Sequence, residues 1–342
     1  MNSRTKILLI YTGGTIGMRK DLKTGALKVF NFSKLLQRIP ELKQLDCEIE
    51  TISFHNPIDS SNMKPEKWTE IASIIASNYS EFDGFVVLHG SDTMSYTASA
   101  LSFMLENLSK PVVLTGSQLP IGDLRTDAKE NLITAIQIAS LQQNNKSVIT
   151  EVCLYFEYKL YRGNRTTKIN AEHFNAFASP NYPALIESGV YLNLKSELFL
   201  AHNPAMDLIV HKDLDTNVVI LKLFPGINKN VLSAIIGIPN LRGIVLETYG
   251  SGNATTEDWF LNLIEKAIAK GLHIVNVSQC TSGSVNMGQY EVSSALKQIG
   301  VISGKDITTE AAITKLMYLL SQNIPFGDFQ TVFETSLRGE MS

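Results

Sequence analysis

Two short segments place hydroxyl side chains beside glycines in a way that suits acyl transfer. The first reads Thr12-Gly13-Gly14-Thr15-Ile16-Gly17 and the second His89-Gly90-Ser91-Asp92-Thr93-Met94. A threonine or serine hydroxyl is a weak nucleophile at its own pKa and needs a base or a nearby lysine. Adjacent glycines let the backbone approach a substrate and offer N–H groups to an oxyanion. Taken singly, Thr15 and Ser91 each read as a helix cap after a strand. Together with Gly13-Gly14, Asp92 and the downstream Lys168, the nucleophile reading gains weight. A lysine acting as base must shed its proton, which burial or cationic neighbours favour, and Arg162 and Arg165 lie close to Lys168 in sequence.

Other chemistries lack their patterns. The first turn does not have the Gly-x-Gly spacing of a dinucleotide fingerprint. The stretch from Gly300 to Asp306 resembles a phosphate loop only faintly, with Asp306 where Ser or Thr should hold the metal. Neither a His-Glu-x-x-His helix nor a Gly-x-Ser-x-Gly elbow occurs. The 6 histidines are scattered, and the 3 cysteines, Cys47, Cys153 and Cys280, are far apart and odd in number. Neither a metal site nor a disulfide framework is expected, and the cysteines fit a reducing, cytoplasmic compartment.

The elements that must position these residues follow from hydrophobic patterning. Apolar runs at Ile7–Tyr11, Phe85–Leu88, Pro111–Leu114 and Val152–Phe156 are each followed by a small polar turn. A helix-like stretch spans Thr93 to Asn107. Run, turn, helix is the pattern of βαβ units, and strands buried on both faces read as continuous apolar runs. Further runs at Val218–Phe224, Gly243–Glu247 and His273–Val277 repeat the pattern, with helices near Asn228–Ile236 and Thr256–Lys270. The expected fold is α/β: a parallel-sheet N-terminal catalytic domain (residues 1–191), a connecting segment (192–216) and a smaller α/β C-terminal domain (217–342). Ligands bind beyond the carboxyl ends of parallel strands. The hydroxyl pairs Thr12/Thr15, Ser91/Thr93 and Thr115/Ser117 are therefore expected to converge on one crevice with Asp92.

The composition agrees. A chain of 342 residues corresponds to roughly two domains at about 150 residues each. Its 44 % hydrophobic content can build a sizeable core, so disorder is disfavoured. A net charge of −3 with no dense Lys/Arg run argues against a nucleic-acid partner. No stretch approaches the roughly 18 apolar residues of a membrane span, and the N-terminal run is too short for a signal peptide.

The two signature segments resemble those of the L-asparaginase family. Ile58-Asp59-Ser60-Ser61-Asn62-Met63 is similar to that family's substrate-binding loop. Thr115-Gly116-Ser117-Gln118, Arg162 through Lys168, Tyr249-Gly250-Ser251-Gly252-Asn253, and the stretch from Ser278 to Gly288 also match. The resemblance covers essentially the whole chain and is nearest to the bacterial cytoplasmic type I enzymes. It implies hydrolysis of L-asparagine to L-aspartate and ammonia through a threonine acyl-enzyme, no cofactor or metal, and a homodimer or homotetramer. By position, Thr15 corresponds to the nucleophile. Ser91, Asp92 and Lys168 correspond to the second catalytic group, with Lys168 drawing the Ser91 proton and Asp92 orienting the lysine and gripping the substrate amino group. Asp59, Ser60 and Ser61 correspond to holders of the substrate's charged ends, and Asn253 to a residue reaching toward a neighbouring subunit's site.

Four departures stand out. Ser91 replaces the family's usual threonine, which keeps the hydroxyl but loses a methyl worth about 0.8 kcal/mol if buried and β-branched stiffness. The stretch Met18 to Phe32, expected to form a mobile loop, has no tyrosine to polarise Thr15. Asn62 stands where Asp is common. Glu247 stands where regulated relatives carry arginine, and a glutamate would repel an effector carboxylate, so activation by asparagine at a second site is expected to be weak or absent. Three further readings stay open. One is a broader asparaginase/glutaminase, since one methylene is worth only about 1–3 kcal/mol in discrimination. Another is the amidase subunit of a tRNA amidotransferase, which wants a further N-terminal domain and a partner. The third is a catalytically weakened amino-acid-binding sensor.

Overall fold

A computed structural model describes residues 4–20, 27–29, 39–288 and 291–342. The chain forms two compact units, Met1–Lys212 and Asp213–Ser342. The division falls inside the segment expected to connect two domains, and the early part of that segment, Leu192–Leu194, is a strand of the first unit's sheet.

That sheet has eight strands: β1 (Thr5–Gly13), β2 (Cys47–Ile58), β3 (Gly84–Leu88), β4 (Val112–Thr115), β5 (Val152–Phe156), β6 (Lys159–Arg162), β7 (Ile186–Ser188) and β8 (Leu192–Leu194). Their order is β8-β7-β6-β5-β4-β3-β1-β2. The five strands from β2 to β5 are parallel, and β6, β7 and β8 extend the sheet antiparallel from the β5 side. The apolar run of β1 is buried from Ile7 to Tyr11 because helices cover both faces. Ile7, Leu9, Val86 and Leu88 share one core with Leu132, Ala135 and Ile136 of helix α3 (Ala128–Ala139). The alternation of side chains turns Leu8, Ile10, Phe85 and Val87 to the opposite face. Helices α1 (Pro65–Ser77) and α2 (Met94–Met104) belong to the same unit and pack on each other.

The helix expected over Thr93–Asn107 stops at Met104, because Leu105–Glu106 pair antiparallel with Ile209–Val210 and Asn107 takes a left-handed φ of 59°. Strand β2 and helix α1 stood outside the expected pattern. β2 mixes polar and apolar residues, with Glu48, Glu50, Ser53, His55 and Asn56 among Ile49, Ile52 and Phe54, as fits a strand at the end of the sheet.

The second unit holds a four-stranded parallel sheet, β9 (Val218–Lys222), β10 (Gly243–Thr248), β11 (His273–Ser278) and β12 (Ile302–Ser303), in simple sequential order. Its helices are α4 (Lys229–Ile236), α5 (Asp258–Ala269), α6 (Glu291–Gln298), α7 (Thr309–Ser321) and α8 (Phe326–Glu334). Leu221, Ile244, Leu246 and Ile274 meet Leu232, Phe260 and Ile264 in its core. Lys315 of α7 is fully buried. Its ammonium donates to the carbonyls of Phe333 and Thr335, each at 2.7 Å, and pairs with the buried carboxylate of Glu340. The Glu340 carboxylate also accepts from the N–H groups of Leu337 and Arg338, which ties the C-terminal segment to α7. Among the described residues no helix is long and apolar enough to cross a membrane.

Candidate active site

Strand order decides where the crevice lies. In the parallel part of the first unit the chain runs β2-β1-β3-β4-β5, so the segments leaving β1 and β3 depart to opposite sides of the sheet. A crevice opens at the carboxyl end of such a reversal. The turns that follow β1 and β3 are the two hydroxyl-bearing segments.

Glycines bring these turns into backbone contact. Gly14 has φ +84°, and a Cβ there would lie 2.5 Å from the N and Cα of Gly90. A Cβ on Gly90 would in turn lie 2.5 Å from Ser60 Oγ. Gly14 N–H donates to the Ile58 carbonyl at 3.1 Å, and Thr93 Oγ1 donates to the Ser60 carbonyl at 2.7 Å. The ends of β1, β2 and β3 are thus locked side by side.

A cavity of about 290 Å³ sits there. Thr15, Asp59, Ser60, Ser91, Asp92 and Lys168 all line it, so residues far apart in sequence meet. Lys168 Nζ donates to Ser91 Oγ at 2.9 Å and to Asp92 Oδ1 at 2.7 Å. Lys168 arrives on a two-residue ladder, Thr167–Lys168 against Phe177–Ala178. Asp59 accepts from Ser61 N–H at 2.9 Å and from Ser61 Oγ at 2.8 Å. The Ser61 backbone N–H, followed by its hydroxyl, holds the Asp59 carboxyl below its ordinary pKa despite some burial. Ser61 itself is exposed and braces Asp59 rather than lining the cavity. Asn253 belongs to the second unit, where it forms a bridge with Tyr249 after β10.

The expected convergence of three hydroxyl pairs needs correction. Thr12 Oγ1 donates to the Leu88 carbonyl, Thr115 Oγ1 to the Tyr155 carbonyl and Ser117 Oγ to the Leu119 carbonyl. These hydroxyls, with that of Thr93, tie strand ends and turns together, and only Thr15 and Ser91 of the six line the cavity. Buried hydroxyls in turns find backbone partners, and sequence alone does not distinguish these from free ones. Arg162 is likewise engaged elsewhere, in a buried pair with Glu151 at 2.6 Å and over the Tyr182 ring.

Gln118, at the end of the segment Thr115–Gln118, belongs to the site as well. Its Oε1 accepts from Ser91 Oγ at 3.0 Å and its Nε2 donates to the His173 carbonyl at 3.1 Å. Asp127 accepts from the Gln118 N–H at 2.9 Å and from the Leu119 N–H at 3.2 Å. A polar side chain directly after a strand-end Thr-Gly-Ser turn was the available signal. Of the stretch expected to form the mobile loop, Met18–Lys20 and Leu27–Val29 pair antiparallel, and residues 21–26 and 30–32 lie outside the described residues. Among the described residues no group of three or more His, Cys, Asp or Glu is placed to hold a metal.

Comparison with known proteins identifies the family of the chain. The family described as "Asparaginase, N-terminal" matches residues 6–199, and "Glutaminase/Asparaginase C-terminal domain" matches residues 217–333. The chain belongs to the L-asparaginase family. It is 42 % identical to L-asparaginase 1 of Escherichia coli (strain K12) over 341 residues, covering 99 % of this chain and 98 % of that one. The crystal structure of L-asparaginase I from Vibrio cholerae O1 biovar eltor matches with a TM-score of 0.90 at 41 % identity, covering 99 % of this chain and all of that one. The family extends to other activities. The 60 kDa lysophospholipase of Mus musculus is 40 % identical over 366 residues, and the match covers all of this chain but 63 % of that protein. This member of the asparaginase family is of the bacterial type I kind.

Proposed function

We propose that the protein hydrolyses L-asparagine to L-aspartate and ammonia through a threonine acyl-enzyme. The observation that carries this reading is the Lys168–Ser91–Asp92 constellation, with Lys168 Nζ 2.9 Å from the Ser91 hydroxyl and 2.7 Å from the Asp92 carboxylate, in the cavity that Thr15 also lines. Thr15 Oγ attacks the side-chain carboxamide carbon, and its proton passes to the departing nitrogen as the C–N bond breaks. Water then attacks the resulting ester, which releases aspartate and restores the Thr15 hydroxyl. Lys168 takes up and returns the proton of the Ser91 hydroxyl, which activates the attacking group, and Asp92 orients Lys168. Asp92, Asp59 and Ser60 bind the zwitterionic end of the substrate, with Ser61 holding the Asp59 carboxylate, since a cavity that offers carboxylates to the ammonium and hydroxyl and N–H donors to the carboxylate suits such a ligand.

Ser91 keeps the lysine contact that a threonine would make through its hydroxyl, which favours an enzyme over a non-catalytic sensor. We assign the chain to the cytoplasm and to a homodimer or homotetramer in which Asn253 reaches toward a neighbouring subunit's site. We further assign catalysis to the first unit, Met1–Lys212, which takes in most of the segment expected to connect the domains, and the smaller domain to the second unit, Asp213–Ser342. Glu247, which accepts from Thr309 Oγ1 at 2.7 Å, would repel an effector carboxylate, and a simple hyperbolic response to asparagine follows from that repulsion.

The deciding experiment measures ammonia released from asparagine and from glutamine by the purified protein and by Thr15→Ala. Activity in the parent and its loss in Thr15→Ala is expected. A silent parent that asparagine still stabilises against heating would favour the sensor. Equal activity in both would remove Thr15 from the nucleophile's role.

A further inference from the structure

Beneath the Gly90-Ser91-Asp92 turn lies a chain of hydrogen bonds that the reaction scheme does not use. His89, the residue after β3, is fully buried. One ring nitrogen, Nδ1, lies 2.6 Å from the carbonyl of Gly90, and the other, Nε2, lies 2.8 Å from Thr97 Oγ1 on α2. Thr97 Oγ1 accepts from the indole N–H of Trp68 on α1 at 2.9 Å.

These contacts determine every proton position. A carbonyl can only accept, so His89 Nδ1 carries the hydrogen. Nε2 of the neutral ring is then an acceptor, and the Thr97 hydroxyl, already accepting from Trp68, donates to it. Burial pushes the imidazole pKa down to about 4, outweighing the contrary effect of the Gly90 carbonyl, so the ring stays neutral near pH 7.

The consequence reaches the site through one peptide plane. In a trans peptide the C=O and the following N–H point in opposite directions. The Gly90 carbonyl is drawn down onto the His89 ring, so the Ser91 N–H is turned up toward the cavity that Gly90 and Ser91 line. As the first residue of the turn Ser91–Thr93, Ser91 has an N–H with no partner inside that turn.

We propose that His89 is a positioning residue: through the chain Trp68–Thr97–His89–Gly90 it fixes the Gly90–Ser91 peptide, and with it the Ser91 N–H and hydroxyl, in the orientation that the acyl-transfer step requires. The indole and threonine fix the imidazole, and the imidazole fixes the peptide. The chain is neutral throughout, so it aligns the turn without placing a charge under the Lys168–Asp92 pair.

This inference rests on the asparagine-hydrolysis reading, so the parent's ammonia release is measured first. If the parent is inactive on asparagine, that reading fails and this one with it. Given an active parent, three variants separate alignment from bulk stability. His89→Gln can reach Thr97 but places no donor at the Nδ1 position. His89→Asn restores a donor near Nδ1. Thr97→Val keeps the shape of the side chain and removes the hydroxyl. His89→Gln is expected to lower kcat about 100-fold, with KM for asparagine and the dissociation constant for aspartate within about twofold of the parent, a size that misalignment without lost binding predicts. His89→Asn is expected to recover at least about tenfold of that loss, and Thr97→Val to fall between His89→Gln and the parent. Unchanged kcat in both His89→Gln and Thr97→Val would overturn the proposal. So would equal losses in His89→Gln and His89→Asn that follow their melting temperatures, or losses that appear in KM alone. If His89→Gln does not fold, the kcat and KM of Thr97→Val decide by the same criteria.

Discussion

Two lysine–carboxylate pairs in this molecule use the same ions for opposite ends. Lys315 and Glu340 have no exposed side-chain surface, and every ammonium hydrogen of Lys315 has a protein acceptor. Lys168 and Asp92 keep 17 % and 62 % of their side chains exposed, and two protein groups engage the lysine. The first pair is complete and therefore structural. It is buried at a desolvation cost that only full hydrogen bonding offsets. The second is unfinished, opens on a cavity and holds the Ser91 hydroxyl between Lys168 and Gln118. What separates scaffold from chemistry here is not the kind of interaction but whether a place is left for a ligand.

Removing one ion at a time should affect the two pairs differently. Lys168→Met is expected to lower kcat by about 10⁴-fold, the scale on which removal of a proton-transfer group acts, while the melting temperature shifts little. A matching collapse of stability would mean that this pair too is scaffold. Glu340→Gln leaves a buried ammonium without its counter-ion and should lower stability by about 3–5 kcal/mol in urea unfolding, with the rate per folded molecule unchanged. The same pair predicts acid sensitivity. Burial raises the Glu340 carboxyl, but the Lys315 ammonium and the N–H groups of Leu337 and Arg338 outweigh it and hold the folded pKa below the ordinary value. The stabilisation is then full above the unfolded carboxyl range, about pH 4.3, and is lost as pH falls through the lower folded pKa. Urea midpoints of the parent should drop across that acid window more steeply than those of Glu340→Gln.

Smaller effects sharpen the contrast. Asp59→Asn should raise KM for asparagine by about 100-fold, the loss of one charge-assisted contact, with kcat changed much less. A fall confined to kcat would place Asp59 with the reacting groups. Ser91→Thr restores a β-branched side chain, and a rise in kcat of about threefold is expected from the lost rotamer freedom. Unchanged turnover and affinity would show that stiffness at this hydroxyl does not matter.

The sequence made much of this readable. Continuous apolar runs marked the strands buried on both faces, and the small polar turns after β1 and β3 carried Thr15, Ser91 and Asp92. Patterning could not bring Lys168 to them, because it arrives on a two-residue ladder after an antiparallel excursion that carries no periodic signal. Gln118 escaped for a related reason, since its role depends on hydrogen bonds to Ser91 and His173 across the sheet edge. Strand β2 mixes polar and apolar residues like a half-exposed strand and contains Pro57, so its apolar content was too thin to stand out. Lys315 and Glu340 look like surface residues in any one-dimensional reading, because lysine and glutamate are almost never fully buried unless paired.

The glycine contacts among the three turns bear on how such a site can change over generations. With Gly14 against Gly90, and Gly90 against Ser60, there is no room for even a methyl group between the loops. Side chains around the cavity can be exchanged one at a time, but the loops that carry them cannot drift apart gradually. Descendants of this chain are free to alter which molecule they accept. The spacing between the two hydroxyl-bearing turns is inherited whole or lost at once.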